Sequence, residues 1–407
     1  MDHGSGGPAR GPARGPARSR LVTPPLVRVF AATLGAMTGF FLLLPVVPLY
    51  ATSAGAGQIG AGVTTAALLL STVCAELATP RLVTRFGDRL VFGAGLVLMG
   101  APALALVVSA HLAVIVAVSV VRGLGFGIVV VLGNALVATM VPASRRGEGL
   151  GVFGIVIGVP GVLALPSGVF LVGEAGFPPV LVAGGVATLA GLVTVSGMPG
   201  PVPAKGPAAT GPATGPVGML AALRDPGLLR PSLVFGAAAM AAGVTVTFLP
   251  LAVTGASAGL AALGLLLQTG TATVTRWWAG RYGDRHDPAR LVVPGVLACA
   301  AGVFALVLIT SPVAVLAGMV LFGAGFGVSQ NTSLVVMFNR VPSARYGTVS
   351  ALWNLAFDAG MGLGAVGFGV LVARTGYPVA FAVLAAVVLV ALVGAVRDRH
   401  AKARPPP

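Results

Sequence analysis

The chain has 407 residues, of which 56% are hydrophobic and only 9% are charged, and its formal net charge is +15 at pH 7. A soluble domain carries about 25% charged residues, so this composition cannot provide a water-facing surface. The basic residues separate apolar segments and do not cluster in one stretch, which argues against nucleic-acid binding and indicates a protein of the lipid bilayer.

The first residues contain the unit Gly-Pro-Ala-Arg three times. This composition lacks the apolar residues that would offset the entropy lost on ordering, so we predict a disordered tail at residues 1–20. The apolar run from about Val29 to Val47 is longer than the hydrophobic region of a signal peptide. We therefore interpret it as a membrane helix.

Twelve apolar segments are long enough to cross a bilayer, which takes about 20 residues per helix. Their approximate bounds are 26–51, 57–79, 90–109, 112–139, 148–172, 177–198, 229–253, 258–279, 290–310, 312–338, 347–372 and 377–396. A stretch rich in Pro and Gly at 199–218 has the composition of a linker. It divides the segments into six-helix bundles at 21–198 and 219–397, followed by a tail at 398–407.

The positions of the basic residues predict the orientation of the chain. Lys and Arg beside membrane helices stay on the cytoplasmic side. If both termini are cytoplasmic, Arg374 is the only external basic residue and Arg122 lies inside a helix, whereas the opposite orientation would place nearly all basic residues outside. We therefore predict a multi-pass protein of the inner (plasma) membrane with both termini in the cytoplasm.

The two halves of the sequence repeat one another. The stretch that begins at Arg85 is matched by the one that begins at Arg281, and the glycine-rich run at Gly123 is matched by the run at Gly323. These matches are colinear at a nearly constant offset, which indicates an internal duplication. Two parallel six-helix repeats around a central cavity are typical of transporters that work by alternating access.

These motifs resemble those of the major facilitator superfamily over essentially the whole chain after residue 20. The resemblance implies an all-α integral membrane fold with twelve transmembrane helices in two pseudo-symmetric six-helix bundles. It also implies an inner gate, which is formed by Arg85, Gly87, Arg89, Arg281, Gly283 and Arg285. Thr84 occupies the family's acidic position in the first copy, so the acidic partner of the gate is either missing or supplied elsewhere, for example by Asp88 or Glu76. The alternative is that these arginines only anchor the topology.

Arg122 lies within the fourth predicted helix and precedes a glycine-rich turn, as in a second motif of the family. A charge at that depth costs about 2.5 to 3.5 kcal/mol on insertion scales, so it usually faces a cavity or a partner. Its counterpart Phe322 shows that the shared fold does not need the arginine. We expect Arg122 to act in proton coupling or solute binding, with a structural bond between helices as the alternative.

A third family motif, which marks antiporters, is similar to the glycines of the fifth helix. Small residues let two helices approach closely, and a proline can bend a helix. We expect these residues to pack between the two halves, and the motif favours export over import. They are Gly154, Gly158 and Pro160, with Gly360 and Gly364 in the eleventh helix.

Asp358 lies near the middle of the eleventh predicted helix. An ionised carboxylate is costly at that depth, which makes Asp358 our first candidate for a proton carrier. The alternative is a fixed structural acid that is neutralised by an arginine or bonded to Asn354. Glu76, about one turn from the end of the second helix, is a further candidate for coupling, although a salt bridge in the gate suits its position better.

The resemblance also predicts which residues line the solute cavity. The lining side chains are Phe40, Phe41, Asn134, Gln330, Asn331 and Asn354. This cavity is mostly apolar with a few amide groups, and neither the first nor the seventh helix supplies an acid. We therefore expect an uncharged or amphiphilic solute.

The sequence lacks the features of the other functional classes. The four histidines lie in tails or loops, so no metal site can be assembled from them, and the chain has no P-loop for ATP. We expect a monomeric transporter without a cofactor, not an enzyme, which moves a small solute together with protons, most simply as an efflux antiporter. The alternatives are a proton-coupled importer of a sugar or similar nutrient, or a receptor of the same fold that does not transport.

Overall fold

The computed structural model describes residues 23–141, 146–196, 221–253, 258–283, 285–342 and 345–402. These residues are almost entirely helical, and no strand occurs among them. The predicted tail at 1–20 and the predicted linker at 199–218 lie outside the described residues. The predicted tail at 398–407 begins inside a helix, because the last helix continues to Lys402.

In the described ranges 23–141 and 146–196, the N-terminal half contains eight α-helices. They are α1 (Pro24–Leu43), α2 (Val46–Ala51), α3 (Gly57–Phe86), α4 (Asp88–Ala105), α5 (Leu112–Met140), α6 (Arg146–Ala175), α7 (Phe177–Ala190) and α8 (Leu192–Val195). A short π-helix, Thr52–Ala56, joins α2 to α3. The break between α1 and α2 falls at Pro45, which has no N–H to donate to the preceding turn.

The C-terminal half, as far as the structure describes it, contains five long α-helices. They are α9 (Pro226–Ala252), α10 (Ala258–Gly283), α11 (Val292–Ala305), α12 (Pro312–Phe338) and α13 (Tyr346–Lys402). Two short 3-10 helices, Pro288–Leu291 and Leu306–Leu308, flank α11.

Helix α13 is two membrane segments joined at a sharp break. A straight helix of its 57 residues would be about 85 Å long, far more than a bilayer requires. The break is at Gly376, whose φ of 76° is a conformation that glycine adopts without strain. Across it, the rings of Phe368 and Phe381 are 4.9 Å apart, so the two segments fold back on each other.

Nine helices in the described ranges are long and apolar enough to cross a membrane. Two of them, Pro24–Phe86 and Tyr346–Val393, each cover two of the predicted segments, because the breaks inside them are short. Helix α10 falls outside the nine, although it spans 26 residues. Every predicted segment nevertheless lies on a helical stretch, and we interpret the two long spans as pairs of crossings.

The same packing order recurs in both halves. In the first half α5 packs against α3 and α4, while α1 packs against α6 and α7. In the second half α12 packs against α10 and α11, while α9 packs against α13. The repeated glycines explain the close approach, because a Cβ atom at Gly123 would overlap the carbonyl oxygen of Leu68, and one at Gly323 would overlap that of Gln268.

The two halves meet along two pairs of helices. Helix α3 packs against α13, and α6 packs against α10. Both contacts join a helix of the first half to one of the second, so residues at these two seams are the ones that a rocking motion between the halves would affect.

Candidate functional site

Helices α3 and α13 run antiparallel along the first seam. The hydroxyl of Tyr377 donates a hydrogen bond of 2.9 Å to the side-chain oxygen of Gln58. Further along, a Cβ atom at Gly62 would overlap the carbonyl oxygen of Ala365. Gly362 follows, where a Cβ atom would lie 3.4–3.5 Å from atoms of the α3 residues 66, 69 and 70.

This register fixes the two ends of the molecule. We call the end that carries Phe86 and Tyr346 the terminal end, since it is the end nearest to the chain termini. We call the end that carries Gly57 and Gly376 the opposite end. Asp358 lies one helical turn from Gly362 toward the terminal end. The same register therefore places Asp358 beside the part of α3 that precedes Glu76.

Glu76 and Asp358 form a pair of neighbouring carboxylates at this seam. Asp358 is 4% exposed, and the Glu76 carboxylate is near enough to repel it electrostatically. Glu76 is half-buried on α3. The sequence predicted both residues as coupling candidates, and the structure brings them together from opposite halves.

Neither carboxylate of the pair is neutralised by a basic partner. Within the described residues, no ion pair or hydrogen bond involves Glu76 or Asp358. Asn354, one helical turn from Asp358, is partly exposed and forms no bond to it. The proposed alternative of a fixed acid held by an arginine or by Asn354 therefore has no counterpart in the structure.

Arg122 is buried on α5, beside the same part of α3. Its side chain is 2% exposed, and its Nε atom has no hydrogen-bond partner. On the same helix, a Cβ atom at Gly127 would lie 3.2 Å from the backbone nitrogen of Glu76. Arg122 thus lies about one and a half turns from Glu76 toward the opposite end. Among the described residues, no ion pair or hydrogen bond of the Arg122 side chain forms the bond between helices that was the structural alternative.

The predicted cavity residues of the first half differ in their surroundings. Phe40 stacks on Phe126 of α5 with ring centroids 3.7 Å apart, and Phe41 meets Phe40 edge to face at 5.2 Å. Phe40 is only 3% exposed, so this ring belongs to the core of its bundle. Asn134 is exposed, and its amide donates to the Val130 carbonyl one turn earlier.

The predicted amides of the second half lie on α12. Asn331 faces α10, because a Cβ atom at Gly280 would be 3.3 Å from its Nδ2 atom. The Oδ1 atom of Asn331 is buried without a hydrogen-bond partner. Gln330 is partly exposed beside it.

A cluster of four aromatic rings, which the sequence did not predict, lies next to Gln330. Phe235 stacks on Trp353 with centroids 4.5 Å apart, and Phe357 is 5.9 Å from Phe235. Phe326 completes the cluster at 6.3 Å from Phe235. The sequence signal that could have predicted this cluster was the spacing of Trp353 and Phe357, which lie one turn apart on α13. We call these four residues the aromatic cluster.

The gate arginines of the first copy point outward. Arg85 and Arg89 are exposed, and Arg85 lies over the ring of Phe86 at 5.2 Å. Gly87 adopts a φ of 80° between α3 and α4, a conformation that favours glycine. In the described part of the chain no ion pair joins these arginines to the second half.

The gate arginines of the second copy behave in the same way. Arg281 and Arg285 are exposed, and Arg281 lies over the Trp277 ring at 4.5 Å. Gly283 lies in ordinary contact range of Pro288, where a Cβ atom would be 3.5 Å away.

The predicted packing residues are not where the prediction put them. Gly154 and Gly158 are exposed, and a Cβ atom at either would meet nothing within 4 Å. Pro160 is buried. Gly360 and Gly364 pack tightly, but against α9 of their own half. The expected role of these glycines in packing between the halves is wrong for this conformation, because helical phase, which composition does not reveal, turns them elsewhere.

The chain was compared with known proteins. The sequence model of the Major Facilitator Superfamily matches residues 29–365. No curated protein sequence matches.

Several solved structures are similar. The nucleoside transporter NupG has 12% sequence identity and a TM-score of 0.74, with 92% of this chain and 99% of that chain covered. The POT family transporter PepTSo has 13% sequence identity and a TM-score of 0.75, with 94% of this chain and 99% of that chain covered. A D-xylose-proton symporter has 16% sequence identity and a TM-score of 0.72, with 91% of this chain and 96% of that chain covered. At these identities the similarity shows the fold alone.

Proposed function

Because the chain belongs to the major facilitator superfamily, and is therefore a transporter and not an enzyme, we propose that it exports a small organic solute in exchange for protons. The two halves would rock about the cavity and expose it to each side of the membrane in turn. The observation that carries the proton coupling is the pair Glu76 and Asp358, which lies at the seam between the halves.

The pair can couple protonation to movement because its members belong to different rigid bodies. Two neighbouring carboxylates in a poorly solvated place cannot both remain charged without a large repulsion. A proton on either one removes that repulsion and lets the seam close at this level. Loss of the proton pushes α3 and α13 apart, so the protonation state biases the equilibrium between the two conformations.

The contacts between the halves support a cavity that is open at the terminal end. Tyr377 bonds Gln58 at the opposite end, and the hydroxyls of Thr65 and Thr247 are 3.0 Å apart in the buried part of the same region. The exposed gate arginines lie at the terminal end, which the positive-inside rule assigns to the cytoplasm. A solute would then enter from the cytoplasm, as export requires.

Import by proton symport remains the second candidate. A structure of similar fold is a D-xylose-proton symporter, and the same carboxylate pair could serve a symporter. The glycines that favoured export in the sequence do not pack between the halves, so the direction of transport depends on a transport measurement.

Proton coupling can be tested without knowing the solute. Spin labels would be placed at Val193→Cys and Tyr346→Cys, which are exposed sites toward the terminal end of opposite halves. The background would carry Cys74→Ala, while the buried Cys299 can stay. We expect the label distance to lengthen from acidic to alkaline pH, because deprotonation of the pair separates the seam.

The matched variant is the double substitution Glu76→Gln with Asp358→Asn, in which we expect one distance at both pH values. The control is Glu174→Gln, an exposed acid at the end of α6. A label distance that ignores pH in the otherwise unaltered chain, or a pH response that survives the double substitution, would overturn the proposal.

A further inference from the structure

Arg276 is a charged residue that the proposed proton pathway does not use. It lies on α10, the helix of the second half that packs against α6, and precedes the predicted gate residue Arg281 by five positions. Its counterpart in the first half is Pro80, so the duplicated fold does not require a charge there. A guanidinium within a membrane helix is costly and is usually tied to function.

Arg276 lies on the wall that α10 forms where it contacts α12. Its side chain is exposed. It shares a helix face with the fully buried Leu265 and with Gly280, whereas Val274, Trp277 and the following tryptophan carry the exposed apolar face. Because a Cβ atom at Gly280 would be 3.3 Å from Asn331 of α12, Arg276 projects from the side of α10 toward α12 and not from its exposed apolar face.

The charge of Arg276 is uncompensated. No ion pair or hydrogen bond involves it in the described residues. Asn331 belongs to the same wall: its Oδ1 atom is buried without a hydrogen-bond partner among the described residues, and its amide nitrogen lies at Gly280, one turn from Arg276 on the same face of α10. A guanidinium offers several N–H donors in a fixed plane that matches a carboxylate, and the Asn331 amide nitrogen could add one more.

An apolar surface lies on the other side of α12. Phe326 of this helix belongs to the aromatic cluster, and Ser333 accepts a hydrogen bond of 3.0 Å from Trp353 Nε1. Asn331 faces α10, and Gln330 lies on the surface of α12 between Asn331 and the side that carries Phe326. Because Trp353 and Phe357 are only partly buried, their rings are accessible for stacking.

We propose that this wall binds an organic anion with an aromatic body, with its carboxylate on Arg276, its polar middle at Gln330 and its ring on the aromatic cluster. The proposal names the solute class of the proposed transporter and rests on that function. It narrows the expectation of an uncharged or amphiphilic solute to an amphiphilic anion, because an exposed guanidinium without a partner among the described residues favours an anion.

Three matched probes test the proposal by direct binding to the purified full-length chain. They are 4-phenylbutyrate, 4-phenylbutyramide and 4-phenylbutylamine, which share a ring and spacer but differ in charge. Fluorescence of Trp353 reports binding at the cluster when Trp277 and Trp278, the other tryptophans and both lipid-exposed, are replaced by Phe. We expect the acid to bind at least tenfold more tightly than the amide or the amine.

The variant Arg276→Gln should remove the preference for the acid, and Arg276→Lys should restore part of it. Arg290→Gln, at an exposed arginine outside α10 and outside the predicted gate, is the matched control and should leave all three affinities unchanged. Equal affinity for acid and amide in the chain with Arg276, or a preference for the acid that survives Arg276→Gln, would overturn the proposal. The comparison of the three probes needs no variant at Arg276, so it tests the proposal even if Arg276→Gln fails to fold.

The binding test and the spin-label test can fail independently. If the acid is not preferred but the label distance still responds to pH, the anion site is rejected and the proposed proton coupling is not.

Discussion

Glu76 of α3 and Asp358 of α13 are neighbouring carboxylates from opposite halves, and neither has an ion pair or a hydrogen bond among the described residues. A buried pair of like charges stores repulsion that a single proton removes. Because each member belongs to a different bundle, this repulsion acts on the relative position of the bundles and on nothing within either one.

Replacement of Asp358 by Asn should abolish transport driven by a pH gradient while exchange of solute across a membrane without a gradient continues. The physical reason is that the amide cannot release a proton, although the cavity and its motion remain. Labelled 4-phenylbutyrate in proteoliposomes under an imposed pH gradient would measure both activities. Glu174→Gln is the control, and driven transport that is unchanged in Asp358→Asn would reject the role of this residue.

The same proteoliposomes decide the direction. For export, the probe should move out of the compartment that protons enter. Accumulation of the probe in the same direction as the protons would instead establish symport and reject exchange.

Removing the Tyr377 hydroxyl should loosen the seam at the opposite end. Tyr377→Phe deletes its hydrogen bond to Gln58, and a single net hydrogen bond contributes about 0.5 to 1.5 kcal/mol, or roughly 2- to 12-fold in the conformational equilibrium. A cysteine placed at Ala365, a buried residue where α13 contacts Gly62 of α3, keeps Gln58 intact and should therefore be labelled faster when Tyr377 is replaced. Tyr50→Phe is the matched control, because Tyr50 bonds the Leu106 carbonyl within its own half. If Tyr377→Phe and Tyr50→Phe accelerate the labelling equally, the hydrogen bond between Tyr377 and Gln58 does not specifically stabilise this end of the seam.

Gly123 and Gly154 should respond differently to Ala. A Cβ atom at Gly123 would overlap the Leu68 carbonyl and the Ser71 hydroxyl, whereas one at Gly154 would meet nothing within 4 Å. Overpacking costs about 1 to 3 kcal/mol, while Ala in an open helical position gains up to about 1 kcal/mol over Gly. In thermal melts of the purified protein, Gly123→Ala should unfold at a lower temperature and Gly154→Ala should not. Similar losses in both would show that the packing is misassigned.

Arg122→Leu should stabilise the protein and impair its function. The buried guanidinium has an unpaired Nε atom and no ion pair in the described residues, so its removal relieves a desolvation cost without leaving a partner behind. We expect a higher melting temperature together with reduced driven transport of 4-phenylbutyrate. A lower melting temperature would mean that Arg122 holds the helices together after all, which was the structural alternative.

Which parts of the site could be predicted depends on the range of the interaction involved. Asp358 and Arg122 were identifiable because an isolated charge in an apolar run is a local feature. The pairing of Asp358 with Glu76 was not identifiable, since the two residues are distant in sequence and a salt bridge in the gate suited the position of Glu76 better than proton coupling. Gly360 was expected at the interface between halves and instead lies against Gly236 of its own half, because helical phase depends on neighbours that composition does not specify.

By itself the sequence determined the membrane setting, the positions of the helical segments and the internal repeat, because these follow from local hydrophobicity and from similarity along one chain. Only the tertiary structure decided that Glu76 lies near Asp358, that Arg276 is exposed on the face of α10 toward α12, and that four rings from α9, α12 and α13 converge. These relationships depend on the rotation of each helix about its axis. A segment that is apolar on every side has no hydrophobic periodicity that would fix this rotation. The rotation is fixed by the close packing of small residues against neighbouring helices.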